Sequence, residues 1–173
     1  MTVSVLDSAA VPTPVGPLTL LVDADGAIRA AGFNVGVERL LPLIHPSLRG
    51  PLRERADLGA VTTAIRSYMD GELTAIDTLP VRQHSGPFLR TAWEVLREVK
   101  PGEPVSYRAF ATLAGRPQAI RAAASACGRN AIALIVPCHR VLRTDGTLGG
   151  YRWGLSIKKW LLKHEEQVTD RGR

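Results

Sequence analysis

The stretch NAIALIVPCHR, from Asn130 to Arg140, puts six consecutive apolar residues between an asparagine and a proline. A run of that length has to be buried, and its β-favouring trio Leu134 to Val136 reads as a short inner strand. Pro137 cannot donate to a ladder, so the strand should end there. Next come Cys138, one of two cysteines in the chain, and His139, one of four histidines. The expected geometry is a thiol and an imidazole held at the mouth of a core by a rigid turn.

A cysteine is a strong nucleophile only as the thiolate, so it needs a neighbour that takes or balances its proton. His139 is adjacent, and Glu165 falls in the last predicted helix; the three form a relay if that helix folds back over the site. Sequence neighbours in an extended segment point to opposite faces, so Cys138 is expected to reach His139 through a bridging water. The bland alternative is a buried structural cysteine. Cys127 and Cys138 are eleven positions apart with no CxxC or Cys/His spacing for zinc. The two could in principle form one disulfide, but in a reducing compartment free thiols are expected, with no structural metal and no cofactor.

Composition narrows the partner. The 173 residues include no apolar run near the roughly 18 needed to span a membrane, and the start MTVSVLDSAAVPTPVG lacks the basic and apolar segments of a secretory signal. A soluble, cytoplasmic protein of one or two small domains, without membrane contact, is the expectation. Lys and Arg number 22 against 16 Asp and Glu, a net charge of +6 with a pI near 9.9, which favours a polyanion such as nucleic acid. The excess sits in the second half, where from Lys100 onward the acids are only Glu103, Asp145, Glu165, Glu166 and Asp170.

Glycines and prolines divide the chain. LTLLV (Leu18 to Val22), a turn over Asp23 to Gly26, and AIRAAGF (Ala27 to Phe33) predict a β-hairpin. A Pro- and Arg-rich connector from Leu40 to Arg55 leads to a helix carrying Leu58, Val61, Ile65 and Met69, stopped by Gly71. TLPVRQ predicts one more strand, and the boundary falls near it, giving an α/β domain over 1–82 and a mostly helical domain over 83–173. In the second domain Ser85 is expected to cap PFLRTAWEVLREV, and Ser106 to cap YRAFATLA, which Gly115 stops. Pro117 is the expected first residue of QAIRAAASAC, which Gly128 ends, so two short helices joined by a tight turn read as a helix-turn-helix. Ser156 is the expected cap of IKKWLLKHEE, with Ile157, Trp160 and Leu161 inward and a loose tail, QVTDRGR.

The second of the paired helices has almost no bulk except Arg121. Its alanines suit close helix packing, and equally a slim helix carrying one arginine into a narrow groove.

SYRAFATLAGRPQAIRAAASACGRNAIALIVPCHRVLRTDGTLGGYRWGLSIKKWLLKHE resembles the catalytic domain of the O6-alkylguanine-DNA alkyltransferases, the methylated-DNA protein-cysteine methyltransferases. The likeness runs from about Ser85 to Glu165, with PCHRV as the family's signature. RAAASAC and DGTLGGYRWG are most similar to the C-terminal domain of the bacterial adaptive-response alkyltransferase. TPVGPLTLLV resembles the family's smaller α/β domain loosely. The implied fold is α/β: a small N-terminal α/β domain, a ribonuclease-H-like roll, followed by a mostly α, winged-helix-like domain with the helix-turn-helix.

The resemblance implies that Cys138 accepts the alkyl group from O6 of a damaged guanine and is not regenerated. His139 and Glu165 would activate it, and Asn130 would brace the turn into the active-site segment. Tyr107 would hydrogen-bond the base and rotate the neighbouring phosphate. Arg121 would enter the duplex where the base leaves, with Ala122, Ser125 and Ala126 on the DNA-facing helix. Cys127, Val141, Tyr151 and Arg152 would line the base pocket, the last through its backbone amide. The implied partner is double-stranded DNA carrying O6-alkylguanine, bound through the minor groove with the base flipped out. The free protein is expected to be monomeric, with clustering on DNA and repair of O4-alkylthymine left open. Asn130-Ala131 stands where much of the family has Asn-Pro, and Leu89 and Arg90 replace a polar glutamine pair. A non-catalytic lesion sensor, the competing reading, would have no use for Cys138, His139 and Glu165 together.

Overall fold

The computed structural model describes residues 3–172 and contains two compact units, one formed by residues 3–84 with Ala131–Ile135 and the other by Ser85–Asn130 with the chain from Val136 onward. In the first unit, β1 (Leu6–Val11), β2 (Leu18–Val22) and β3 (Ile28–Phe33) form an antiparallel meander, and β4 (Leu52–Glu54) adds to β1 in parallel, so the order is β3-β2-β1-β4. The expected hairpin is present. Its turn is closed by the Asp23 carboxylate, which accepts from the amides of Asp25 and Ala27 at 2.9 and 3.0 Å, while Gly26 supplies the left-handed φ of 81°. A single turn, α1 (Val37–Leu40), and α2 (Ala60–Met69) complete this unit, and α2 buries Val61, Ile65 and Tyr68. Two strands lie where the sequence carried no clear alternation. β1 carries the small residues Ser8, Ala9 and Ala10 in its middle, and β4 is an exposed edge inside the Pro- and Arg-rich connector. TLPVRQ contributes one parallel bridge, Val81 to Ile28, rather than a strand.

The second unit is helical: α3 (Pro87–Leu96), α4 (Tyr107–Leu113), α5 (Ile120–Gly128) and α6 (Leu155–Arg171), with a two-residue parallel pair, β5 (Val105–Ser106) and β6 (Val141–Leu142). Ser106 caps α4 as expected, accepting from the Ala109 amide at 3.0 Å, and Gly115 ends the turn with φ 87°. The other three caps differ. Gly86 rather than Ser85 precedes α3, with Pro87 as its first residue. Pro117 lies in the turn and α5 starts at Ile120, because Ala119, at φ −100° and ψ 51°, is the last non-helical residue. Gly154, not Ser156, precedes α6; its φ of 110° is a corner a side chain resists. The tail is not loose but continues α6 to Arg171, and the Thr169 hydroxyl donates to the Glu165 carbonyl at 2.7 Å. Trp93 ties α3 to α5, its ring N–H donating to the Ala126 carbonyl at 2.9 Å.

Candidate active site

The run before Pro137 is buried but is not a strand. Ile132 makes one bridge with Ala31, bonded on either side at 2.9 Å, and then the chain turns sharply. Leu134 takes a left-handed φ of 72°, and two tight turns follow, Ile135 N–H to Ala133 at 2.9 Å and Cys138 N–H to Val136 at 2.8 Å. Periodicity cannot separate such a packed turn from an inner strand, because both demand an unbroken apolar run. The result is the mount expected for Cys138, reached by a different backbone: Cys138, His139 and Arg140 form one 3-10 turn, all buried.

Asn130 braces this turn from inside. Its amide nitrogen donates to the Val136 carbonyl at 2.8 Å and lies 3.4 Å from Cys138 Sγ. Next to Cys138 in the chain, His139 Nε2 lies 2.6 Å from Glu165 Oε1, and Arg140 Nε donates to the same carboxylate at 2.8 and 3.0 Å, its Nη1 reaching the Val99 carbonyl at 2.7 Å. Burial opposes ionisation of Glu165, but His139 and Arg140 outweigh it and hold its carboxyl below the usual value. Burial also holds His139 below its ordinary value despite Glu165. Arg140 is therefore the cation of the pair, and His139 is neutral, with Nε2–H donating to Glu165. That tautomer leaves a lone pair on Nδ1, which has no hydrogen-bond partner among the described residues. Sequence reasoning misses Arg140; its place beside His139 in PCHR is the only signal.

Cys138 opens onto a cavity of about 320 Å³ lined by Tyr107, Ala124, Cys127, Asn130, Tyr151, Arg152 and Trp153, with Gly128 and Gly150. Burial pushes the Cys138 thiol up, opposed by the Asn130 hydrogen bond and the charges of Lys158 and Arg152. Burial also pushes the Cys127 thiol well up, and pushes the Tyr107 hydroxyl up to about 12, so Tyr107 is a donor at any working pH. Lys158, which no sequence pattern singles out, is fully buried and donates to the carbonyls of Val141 at 2.8 Å and Gly150 at 3.2 Å.

The expected residues fall into four groups. Cys138, Asn130, Tyr107, Cys127, Tyr151 and Arg152 share the cavity, while His139 and Glu165 lie behind it. Val141, in β6, is buried, pairs with Val105 of β5, and is not among the lining residues. On α5, Arg121 and Ser125 are exposed and Ala122 is half-buried, but Ala126 is fully buried with its carbonyl on Trp93. A helix packed along that face cannot also present Ala126 to a groove, so close packing accounts for the alanines on that side. Among the described residues no cluster of His, Cys, Asp or Glu could hold a metal ion, and no helix is long and apolar enough to cross a membrane.

A buried cysteine at the floor of a cavity, backed by a neutral histidine and mounted on a helix-turn-helix unit, defines a cysteine-centred group-transfer protein. Residues 87–167 match the family described as 6-O-methylguanine DNA methyltransferase, DNA binding domain. The methylated-DNA--protein-cysteine methyltransferase of Shigella flexneri is 38% identical over 158 residues, covering 90% of this chain and 92% of that one. The bifunctional transcriptional activator/DNA repair enzyme Ada of Escherichia coli is 49% identical over 94 residues, 54% of this chain and 27% of that protein. Among solved structures, Mycobacterium tuberculosis OGT in complex with DNA superposes with a TM-score of 0.78 at 28% identity, covering 95% of this chain and 94% of its own. The chain belongs to the methylated-DNA--protein-cysteine methyltransferase family.

Proposed function

We propose that this protein repairs DNA by direct reversal, moving the alkyl group from O6 of guanine to Cys138 in a single turnover. The observation that carries the reading is the position of Cys138 at the floor of the cavity, with Asn130 on its sulfur and the His139, Glu165 and Arg140 cluster behind it. An alkyl group on O6 lies within the base stack, so in-line attack by sulfur requires the nucleotide to leave the duplex. The slim exposed face of α5, with Arg121 at its start, suits the minor groove and the gap left by the base.

The thiol proton passes through a water to Nδ1 of His139, and the Glu165 carboxylate, itself held by Arg140, stabilises the imidazolium that forms. Sulfur forms a bond to the alkyl carbon as the C–O bond breaks, and the electron pair goes to the purine oxygen. Tyr107 donates a hydrogen bond to the departing purine, which takes up one proton and leaves as guanine. The product is a thioether with no leaving group a nearby base could release, so each molecule reacts once.

Incubation with duplex DNA carrying O6-methylguanine tests this. Intact protein mass should rise by one methylene as guanine is restored in the DNA, and Cys138→Ser should gain nothing. Tight binding without a mass change would instead favour a lesion sensor.

A further inference from the structure

Pocket walls are useful only if they hold their spacing, and here one wall is a loop. Gly149, at φ 70°, and Gly154, at φ 110°, flank the segment carrying Gly150, Tyr151, Arg152 and Trp153, so the backbone turns at both ends through conformations that glycine adopts freely. The opposite wall is α5, with Ala124, Cys127 and Gly128. The side chain of Arg152 crosses from the loop to the helix, its Nη2 donating to the Gly128 carbonyl. That carbonyl belongs to the last turn of α5, where acceptors lack partners within the helix and a cation is favoured by the helix dipole. Arg152 is otherwise exposed and makes no ion pair among the described residues.

We propose that the Arg152 side chain is a strap: it ties the loop wall to the end of α5 and so fixes the width of the pocket in which Cys138 reacts. This makes Arg152 a positioning residue through its guanidinium. The inference rests on Cys138 being the acceptor. The strap is separable from a phosphate contact, which an exposed arginine on a DNA-binding unit could equally make, because a free base has no phosphate.

The test follows single-turnover methylation of Cys138 by two donors, a duplex carrying O6-methylguanine and O6-methylguanine as the free base. It compares wild type, Arg152→Met and Arg152→Lys, with undamaged-duplex affinity and hydrogen exchange over 148–154 measured alongside. Arg152→Met should lower the maximal rate constant about tenfold with both donors, since a small misplacement of reacting groups is costly. It should also speed exchange in the loop and leave undamaged-duplex affinity unchanged. Arg152→Lys, which keeps one donor and the charge, should recover part of the rate. An unchanged free-base rate in Arg152→Met overturns the strap, and if duplex affinity falls at the same time the residue is a phosphate contact. Failure of wild type to accept methyl from either donor would instead overturn the acceptor reading itself.

Discussion

Glu165 holds His139 and Arg140 at once: one carboxylate oxygen sits 2.6 Å from His139 Nε2, and both lie within 3.0 Å of Arg140 Nε. All three side chains are buried, so removing the carboxylate charge strands the guanidinium. Glu165→Gln should cost about 3–5 kcal/mol of stability, the range for breaking a buried pair from one side, read from urea unfolding. The same cluster sets a pH dependence. His139 is held below 6.5 and Glu165 below 4.5 in the folded protein, so the unfolded chain binds more protons as pH falls. Their stabilisation is present in full above about pH 6.5 and is lost first through His139 and then through Glu165 on acidification.

Asn130 bridges the Val136 carbonyl and the Cys138 sulfur. Asn130→Ala leaves a buried carbonyl with one donor fewer, which should cost about 1–3 kcal/mol. It also removes a hydrogen bond that lowers the Cys138 pKa, so the pH profile of Cys138 alkylation by iodoacetamide, followed by peptide mass, should move to higher pH.

Lys158 acts on the same sulfur by charge, and its two carbonyl bonds keep it in place. Lys158→Met should push the Cys138 thiol further up, leaving less thiolate at neutral pH. Alkyl transfer at pH 7 should fall about tenfold if the thiol comes to titrate about one pH unit higher, and should recover when pH is raised.

Gly149 is required by what it faces. A Cβ at this position would sit 3.1 Å from Tyr107 Cε2 and 3.2 Å from its hydroxyl, on a backbone already at φ 70°. Gly149→Ala should therefore displace Tyr107 and slow transfer as Tyr107→Phe does. With the hydroxyl at about 12, Tyr107→Phe should lower the rate uniformly between pH 6 and 9, without moving the profile.

Local signals were readable in the sequence where one residue type has one geometric use. Gly26 marked the hairpin turn, Ser106 the α4 cap, Gly115 its stop, and Cys138 the cavity floor. Signals failed where tertiary contacts choose between equivalent local states. The apolar run to Val136 packs as a turn because a single residue of β3, Ala31, takes its bridge, and Ala126 is buried because Trp93 needs its carbonyl. Arg140 and Lys158 were invisible for a related reason: a charged side chain reads as solvated until a buried carboxylate or a pair of carbonyls is seen to receive it.

The central claim is that Cys138 takes the alkyl group once and keeps it. The direct measurement exposes wild-type protein to two successive excesses of duplex carrying O6-methylguanine, then maps methylation by peptide mass. The expected result is one methyl group per molecule, located on Cys138, with the second addition leaving its lesions unrepaired. Methyl found on Cys127, or repair continuing past one equivalent, would contradict it.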